Sequence, residues 1–512
     1  MNKWAVIDIG SNTIRLVIYI ETSNHFYKEV ENIKAVARLR KYLNEEKVLS
    51  YEGVQKCLTI LKGFKEIIDF HGISEVKCVA TATIRQAMNK SEILEKIKIE
   101  QGFDIEILSE EEEGYLGFLA VVNTTAVKDG VTIDIGGGST EITYYQNKTL
   151  VQSHSFPFGV VSLKEKFMSG NRMSNEERIS LKKMISEAFE SLPWLKNKQV
   201  PIVAIGGSAR NIAQVHQHLK NYPLAGIHQY DMSPDDLNNI LQMMTSMEIA
   251  DIEKLEGLSK DRADIILPAL EVFDMLCKYV QATRFIFSKR GLREGILYKE
   301  KGGGKQPSDL ILESSIDQLI RDYGIEEGHS DHVAWLAKQI YSELSNVFEN
   351  TTNEYSERLI KQSARIYYIG QYVDSDVSSQ HTFNLLAHQS IDGITHKERL
   401  ILAFIASYKN WALLKQYSNP FIGWFSKGEL KDIRIAGAMV KLASALDASK
   451  RMLVKKIKVQ KKQDELVFQL FCVGNTFVEQ YQAEKQIRHL EKSLKYNITL
   501  EFISDRQGWE TK

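Results

Sequence analysis

A strand-like phrase that ends in Asp and a glycine-rich turn occurs twice in this chain. Residues 5–19 read AVIDIGSNTIRLVIY and residues 131–145 read VTIDIGGGSTEITYY. In each copy an apolar run reaches an aspartate, Asp8 or Asp134, turns at glycine and resumes as a second apolar run. Glycine permits tight turns and close approach of backbone N–H groups to a ligand, so the pair predicts two loops that hold phosphate and a hard cation. The alternative is that both segments are ordinary β-hairpins without a ligand, and the repetition favours the ligand-binding loops.

Size and composition are typical of a globular protein with several domains. At 512 residues the chain is too long for one hydrophobic core, so roughly two to four domains are expected. Apolar residues make up 43% of the chain, charged residues 26%, and the formal net charge is −1. Because no global positive field exists, nucleic acid is not an expected partner, and any anion site has to be built locally.

Cysteine spacing and hydropathy bear on the expected compartment. Cys57, Cys78, Cys277 and Cys472 are scattered without a C-x-x-C pair, which fits a reducing cytosol and no structural zinc. No signal peptide precedes the strand predicted from Trp4, and no apolar run reaches membrane-spanning length. The sequence therefore predicts a cytoplasmic protein with no membrane partner.

Changes in pattern along the chain predict its domains. Strands and helices alternate before residue 300, as in α/β proteins, and a glycine-rich run follows. That run predicts a linker, because glycine-rich segments are flexible. The predicted parts are an α/β lobe at 1–124, a second lobe at 125–300, a linker at 301–308, a mostly helical domain at 309–450 and a strand-containing end at 451–512.

A set of motifs resembles one known family. The motifs are IDIGSNTIRL at 7–16, ATATIRQAMN at 80–89, the glutamates at 110–113, IDIGGGSTE at 133–141, IGGSAR at 205–210 and RGLREGILY at 290–298. Together they resemble the exopolyphosphatase/guanosine pentaphosphate phosphohydrolase (Ppx/GppA) family of the actin–hexokinase–Hsp70 (ASKHA) superfamily. The resemblance implies two actin-like, RNase H-like lobes, followed by the helical HD-like domain of the longer members, and a homodimer.

Hydrolysis of a terminal phosphoryl group needs a cradle for phosphate oxygens, a divalent cation and a group that orients water. The two glycine loops offer backbone N–H groups and hydroxyls for the cradle, from Ser11, Asn12, Gly136, Gly137, Gly138, Ser139 and Thr140. The resemblance adds Gly207 and Ser208, in a loop similar to the nucleotide-side loop of the superfamily. Arg85 and Arg293 lie in matching motifs and suit phosphate through their planar donor forks, and a structural salt bridge is the alternative for both.

The acidic residues beside the glycine loops are the predicted cation ligands. Asp8 flanks the first loop, and Asp134 and Glu141 flank the second. Mg²⁺ prefers few carboxylates, completed by waters and substrate oxygens, so two or three carboxylates are sufficient. A solvent-facing position on the strand is the alternative for Glu141.

Consecutive glutamates open a predicted helix at residue 110. Ser109 and Glu112 fit a capping box, and acids suit a helix N-terminus through its dipole, so residues 110–112 have structural reasons to be acidic. Glu113 has no such reason, and the resemblance aligns it with the catalytic base proposed for the family. We therefore predict that Glu113 orients the attacking water, with Glu112 as the second candidate.

The helical domain departs from the HD pattern. Tyr367 and Tyr368 stand where an active HD domain carries His-Asp, whereas Asp447 keeps the distal acidic position. One carboxylate with scattered histidines does not form a paired-metal site, so this domain is predicted to be catalytically silent.

The resemblance, together with these residues, implies a magnesium-dependent exopolyphosphatase that releases orthophosphate from the ends of inorganic polyphosphate. The motifs equally cover hydrolysis of guanosine pentaphosphate, so that activity stays open as an alternative or an addition. A sugar or acetate kinase of the same superfamily would exclude water and provide an adenosine pocket, whereas Glu113 is placed to recruit water. A non-enzymatic polyphosphate sensor is the remaining alternative, although the motifs lack none of their acidic residues.

Overall fold

The structure, a computed structural model, describes residues 3–21, 27–170, 173–301, 308–348 and 354–504. The chain forms two compact units: Met1–Tyr222 with Ile227–Ile311, and Pro223–Gly226 with Leu312–Lys512. The predicted linker at 301–308 lies largely outside the described residues. No helix in the described ranges combines the length and the apolar character that crossing a bilayer requires.

The first sheet is built by the N-terminal part of the chain. Its strands are β1 Lys3–Ile9, β2 Thr13–Glu21, β3 Tyr27–Val36, β4 Glu75–Ala80 and β5 Ile105–Ile107, in the order β3-β2-β1-β4-β5. The first three strands form an antiparallel meander, and β4 and β5 continue it in parallel. The helices of this part are α1 Tyr51–Phe70, α2 Ala82–Gln86, α3 Lys90–Gln101 and α4 Glu110–Val122.

The second sheet follows in the same unit. Its strands are β6 Gly130–Ile135, β7 Thr140–Gln146, β8 Thr149–Phe156, β9 Ile202–Ile205, β10 Tyr230–Met232 and β11 Phe285–Phe287, in the order β10-β11-β9-β6-β7-β8. The helices are α5 Val160–Phe167, α6 Asn175–Glu190, α7 Gly206–Leu219, α8 Pro234–Ser246, α9 Ile249–Ile252, α10 Ile266–Val280 and α11 Leu292–Glu300.

The two sheets repeat one topology. Strands β8-β7-β6-β9-β11 correspond to β3-β2-β1-β4-β5, with a meander of three antiparallel strands and two parallel strands in each. The repeated sequence phrase is therefore the first hairpin of each sheet. Its register is also repeated, because Asp8 lies opposite Arg15 and Asp134 lies opposite Glu141.

Apolar residues at helical and strand spacing bury the cores of this unit. Val54, Leu58, Leu61 and Ile68 of α1, which the sequence places at helical spacing, are all buried against the first sheet. The second sheet has its own core with α5–α8 and α10. A third cluster contains residues of α4 and α11 together with residues of both sheets, so these two helices lie between the sheets.

The second unit is mostly helical. Its helices are α12 Ser308–Asp322, α13 Glu327–Val347, α14 Glu354–Arg365, α15 Ser378–His388, α16 His396–Ala406, α17 Trp411–Ser418, α18 Lys427–Ala445 and α19 Phe477–Leu494. Its strands are β12 Val454–Lys462, β13 Glu465–Cys472 and β14 Asn497–Ser504, in the order β12-β13-β14.

Helices α4 and α11 approach each other closely because of a glycine. A Cβ atom on Gly295 would lie 2.0 Å from the carbonyl oxygen of Leu116, so no larger residue fits without separating the helices. Both helices carry predicted site residues in their first turn, Glu113 on α4 and Arg293 on α11. The contact therefore fixes the separation of these two side chains.

We expect Gly295→Ala to destabilise the protein by about 1–3 kcal/mol, because the added methyl group meets backbone that cannot rotate away. Gly63→Ala is the matched control: a Cβ on Gly63 of α1 meets nothing within 4 Å. This control should stabilise the protein by about 0.5–1 kcal/mol through lower chain entropy. Urea unfolding measures both variants, and a Gly295→Ala variant as stable as Gly63→Ala would contradict the close contact.

Candidate active site

The two glycine loops close with the same hydrogen bond. The N–H of Gly10 donates to the carbonyl of Thr13 at 3.0 Å, and the N–H of Gly136 donates to the carbonyl of Ser139 at 2.9 Å. Each loop thus joins its strands through a turn of the same span, directly after the aspartate that ends the first strand. The sequence repeat is also a repeat of loop geometry.

Neighbouring backbone holds the carbonyl side of the first loop. The N–H groups of Ala37 and Arg38 donate to the carbonyl of Asn12 at 3.0 and 2.8 Å. The N–H of Arg40 donates to the carbonyl of Ser11 at 3.2 Å. The carbonyl groups of this loop are therefore directed at the chain that follows β3.

Helix α5 holds the second loop in the same way. The N–H of Val160 donates to the carbonyl of Gly136 at 2.9 Å, and the N–H of Val161 donates to that of Gly137 at 3.1 Å. Here the donors are orphan N–H groups at a helix N-terminus, which need acceptors outside the helix. The loop carbonyls thus accept hydrogen bonds from the helix, and the first N–H groups of the helix have acceptors.

The N–H side of both loops is left without protein partners. In the described ranges the N–H groups of Ser11, Asn12, Gly137 and Gly138 donate no hydrogen bond. A Cβ on Gly137 would lie 3.2 Å from the Cβ of Ser11, so the two loops meet at their tips. Successive free N–H groups from facing loops form a concavity that suits an anion.

The hydroxyl groups predicted for the cradle have different roles. Ser11 and Ser139 are buried at the loops, whereas the hydroxyl of Thr140 donates to the carbonyl of Phe158 at 2.7 Å. Thr140 therefore anchors β7 to the segment before α5. Its predicted role as a phosphate donor receives no support from this contact.

The second hairpin places two carboxylates side by side. Asp134 and Glu141 are directly opposite on β6 and β7, and the Ser155 hydroxyl donates to Glu141 at 3.1 Å. Burial raises the pKa of Asp134 to about 6, and the nearby charge of Asp8 adds to this rise. Burial also raises the pKa of Glu141, together with the charges of Glu113 and Asp134. Like charges directly across a ladder repel, so either a proton or a bound cation would stabilise this pair.

In the first hairpin an arginine stands where the second has Glu141. Arg15 lies opposite Asp8, and Arg293 of α11 donates to Asp8 Oδ2 at 3.1 Å. Burial raises the pKa of Asp8, while Arg293 and Arg15 oppose the rise. Arg293 therefore has an acidic partner, which agrees with the structural alternative for this residue and leaves its phosphate role untested.

Helix α4 begins with the predicted capping box. The N–H of Glu112 donates to the Ser109 hydroxyl at 3.1 Å, and Glu112 Oε2 accepts from the N–H of Ser109 at 3.0 Å. Glu112 is thus committed to the helix start, as predicted. A Cβ on Gly114 would lie 3.0 Å from the Ser153 hydroxyl, so only a small residue lets α4 lie this close to the second sheet.

Glu113 points into the acidic region and is held by Arg85. The Arg85 guanidinium donates to Glu113 and, at 2.8 Å, to the carbonyl of Leu108. Burial raises the pKa of Glu113 to about 7; Arg85 opposes this rise, and the charges of Asp8 and Asp134 add to it. A carboxylate with this pKa accepts protons near neutral pH, which is what a general base requires.

The third loop begins α7 and is covered by an arginine. Gly206 has φ +89°, and a Cβ on Gly207 would lie 2.1 Å from an Arg262 nitrogen. Arg262 also donates to the Ser208 hydroxyl at 3.3 Å. The structure therefore adds Arg262 to the predicted pair Gly207 and Ser208, at the positive end of a helix dipole.

Three arginines that the sequence analysis did not assign line this region. Burial lowers the pKa of Arg15, Arg210 and Arg262, and repulsion between them and from Arg293 contributes. Arg15 and Arg210 lie within the motifs and could have been found there. Arg262 lies just before α10 and outside those motifs, so its place was visible only in the fold. Mutually repelling guanidinium groups suit a polyanion.

The residues present fit magnesium better than a metal that needs a complete protein cage. No three His, Cys, Asp or Glu side chains of the described ranges converge closely enough to chelate a metal. Asp134 and Glu141, opposite each other on β6 and β7, would hold the cation, and phosphate oxygens and waters would supply its other ligands. The predicted ligand Asp8 forms an ion pair with Arg293, and its role as a ligand stays a prediction.

In the second unit Asp447 is buried among hydrogen-bond donors. Its carboxylate lies 2.8 Å from His329 Nδ1 and 3.2 Å from His332 Nδ1, and it accepts from the N–H of Met452 at 2.7 Å. These partners lower its pKa despite burial. His329 was not singled out from the sequence. The carboxylate joins α13, α18 and the segment before β12, which is a structural role.

Comparisons with known proteins agree with this architecture. The sequence model of the Ppx/GppA phosphatase family matches residues 17–302, and that of Ppx/GppA phosphatase, domain III, matches residues 311–492. A curated relative from Fusobacterium nucleatum, a bifunctional 3-dehydroquinate synthase/phosphatase, is 29% identical over 289 residues. The alignment covers 54% of this chain and 43% of the relative, so the chain spans less than half of that relative's length.

Solved structures resemble a little more than half of this chain. A Ppx/GppA family member from Aquifex aeolicus is 26% identical with a TM-score of 0.53, and the match covers 58% of this chain and 97% of that one. An exopolyphosphatase from Cytophaga hutchinsonii is 23% identical with a TM-score of 0.55, covering 59% and 99%. The predicted fold class, two actin-like lobes before a mostly helical region with a small strand-containing end, is confirmed.

We expect Asp134→Asn to stabilise the metal-free protein above neutral pH. The pKa of Asp134 is raised from 3.8 to about 6, so wild-type stability falls as pH rises across this interval, whereas the amide has no proton to lose. In EDTA the Tm gain should be several degrees at pH 8 and should vanish near pH 4. Asp104→Asn, at a side chain that is 80% exposed, is the control. A gain that does not depend on pH would contradict the raised pKa.

Proposed function

The chain belongs to the Ppx/GppA phosphatase family, and on that premise we propose that it is an exopolyphosphatase that releases orthophosphate from the ends of inorganic polyphosphate. The observation that carries the proposal is the pair of glycine loops, whose carbonyl groups are held by other backbone while their N–H groups are free. Two facing sets of donors suit a terminal phosphate.

The charges around the loops favour a polyphosphate chain. Arg293 and Arg210 help to lower the pKa of Arg15, and Arg210 helps to lower that of Arg262, so positive charge is concentrated in this region. A phosphate chain carries charge along its whole length and gains from each guanidinium that it meets. None of the described contacts defines a pocket for a base, and polyphosphate does not require one.

Glu113 is the proposed general base. It accepts a proton from water as the water oxygen bonds to the terminal phosphorus, and the bond from that phosphorus to the bridging oxygen breaks. The shortened chain leaves with the bridging oxygen. Arg85 holds the Glu113 carboxylate, so it acts in this proposal as a positioning residue rather than as a phosphate ligand.

Asp134 and Glu141 are the proposed residues for Mg²⁺, through their adjacent places on β6 and β7. When bound, the cation would neutralise charge on the phosphate oxygens. A bound cation would also relieve the repulsion between these two carboxylates. In the described ranges no basic side chain acts on Glu141, and Arg293 is paired with Asp8.

The test of the function is phosphate release from a panel of substrates. Long-chain polyphosphate, tripolyphosphate, guanosine pentaphosphate and ATP are each incubated with Mg²⁺ or EDTA, and orthophosphate is measured with malachite green. We expect release from long-chain polyphosphate with Mg²⁺, near-background release in EDTA and little release from ATP. Release from guanosine pentaphosphate alone would replace the proposal, and no release from any substrate would remove it.

Glu113→Gln should lower turnover of polyphosphate by about two to four decades, because it keeps the shape of the side chain and removes its basicity. Glu112→Gln is the matched control on the same helical turn. It should lose some helix stability and stay within about threefold of the wild-type rate, since its carboxylate caps the helix. Steady-state turnover of polyphosphate is measured for both variants. A greater loss of turnover in Glu112→Gln than in Glu113→Gln would make Glu112 the general base.

A further inference from the structure

A group of basic side chains in the second unit has no acidic partner. Lys409 precedes α17, Arg434 and Lys441 lie about two turns apart on α18, and His489 and Lys492 lie on α19. We call these five residues the α18–α19 basic cluster. Within the described ranges none of its lysine or arginine side chains forms an ion pair with a carboxylate. Uncompensated positive charge in one place is a feature of anion sites.

Lys441 is the centre of the cluster. Its ammonium donates to the carbonyl of Lys409 at 2.7 Å and to His489 Nε2 at 2.9 Å. Because an ammonium cannot accept, His489 Nε2 is the acceptor, and the proton of the neutral ring is on Nδ1. One donor of Lys441 and the Nδ1–H of His489 are left for another molecule.

The pKa values of Lys441 and His489 are both lowered, which agrees with positive charge that no carboxylate neutralises. Burial, followed by the charge of Lys409, lowers the pKa of Lys441 to about 8. Burial and the charges of Lys441, Lys492 and Arg434 lower the pKa of His489 to about 4. No carboxylate contributes to either value.

Arg434 contacts an aromatic ring at the other end of the cluster. Its guanidinium carbon lies 5.3 Å from the centre of the Trp411 ring, and its Nε is buried without a hydrogen-bond partner. A Cβ on Gly437 would lie 2.5 Å from the Tyr408 ring, so glycine lets this ring pack beside Arg434. The guanidinium of Arg434 also faces the Tyr408 hydroxyl and opposes the rise that burial causes in its pKa. The donors of Arg434 that do not face this hydroxyl are available to an anion.

We propose that the α18–α19 basic cluster binds a phosphate-class anion: orthophosphate, a short phosphate chain or the phosphates of a nucleotide. Donors from α18 and α19 are of three kinds, ammonium, guanidinium and imidazole, and phosphate oxygens accept from several donors at once. This proposal rests on the contacts of the second unit alone, and it holds whether or not the first unit hydrolyses polyphosphate.

The test is protection of Lys441 from acylation in the full-length protein. The protein is treated at pH 8 with limiting acetylating reagent, and acetylation at each lysine is measured by mass spectrometry. Orthophosphate, tripolyphosphate and GTP are the probes, and sodium chloride at matched ionic strength is the control. We expect at least one probe to slow acetylation of Lys441 several-fold while Lys485, an exposed lysine on α19, reacts unchanged. Because the readout is local, binding at the glycine loops does not contribute.

Two variants separate the site from general screening. Lys492→Gln removes an exposed charge with little risk to folding, and should raise the probe concentration for half-protection of Lys441 about tenfold. Lys485→Gln removes the same charge from the same helix and should change nothing. The most protective probe identifies the source of the phosphate. No protection by any probe, equal protection by sodium chloride, or equal effects of the two variants would overturn the proposal.

Discussion

The free N–H groups of the two glycine loops depend on where the carbonyl groups of those loops are held. Ser11 and Asn12 are fixed by the chain after β3, and Gly136 and Gly137 by the first turn of α5. Each peptide plane joins the carbonyl of one residue to the N–H of the next, so these contacts fix the N–H groups of Asn12, Gly137 and Gly138. The donors are thus positioned before any anion arrives, and no reorganisation is required when charge appears.

Three acidic residues, Glu113, Asp134 and Glu141, lie beside these loops. Asp134 is close enough to Glu113 and Glu141 to add to the rise that burial causes in the pKa of both, and Gly114 allows α4 to approach the second sheet to that distance. Such repulsion destabilises the fold, and the cation proposed for Asp134 and Glu141 would relieve it. Substitutions that remove charge at these positions are therefore expected to raise stability and lower activity.

The hairpins, the capping box and the α1 core face could be predicted from the sequence because each is determined by local chemistry. Turn glycines, Ser109 with Glu112, and apolar spacing act over a few residues. Pairings across the chain were not predictable in this way. The sequence could not show that Arg85 holds Glu113, that Arg262 covers Gly207, or that Asp447 lies between two histidines, since these contacts join residues far apart along the chain.

One register position distinguishes the duplicated hairpins. Arg15 and Glu141 occupy corresponding places, each opposite the aspartate that ends the preceding strand. Two identical hairpins would have offered two equivalent anion sites, and a linear substrate could have bound in either sense. The change of sign breaks that equivalence: in the proposed function Arg15 suits phosphate directly, whereas Asp134 and Glu141 suit it only through a cation. The proposed site therefore has a direction, which an enzyme needs in order to tell the end of a polymer from its middle.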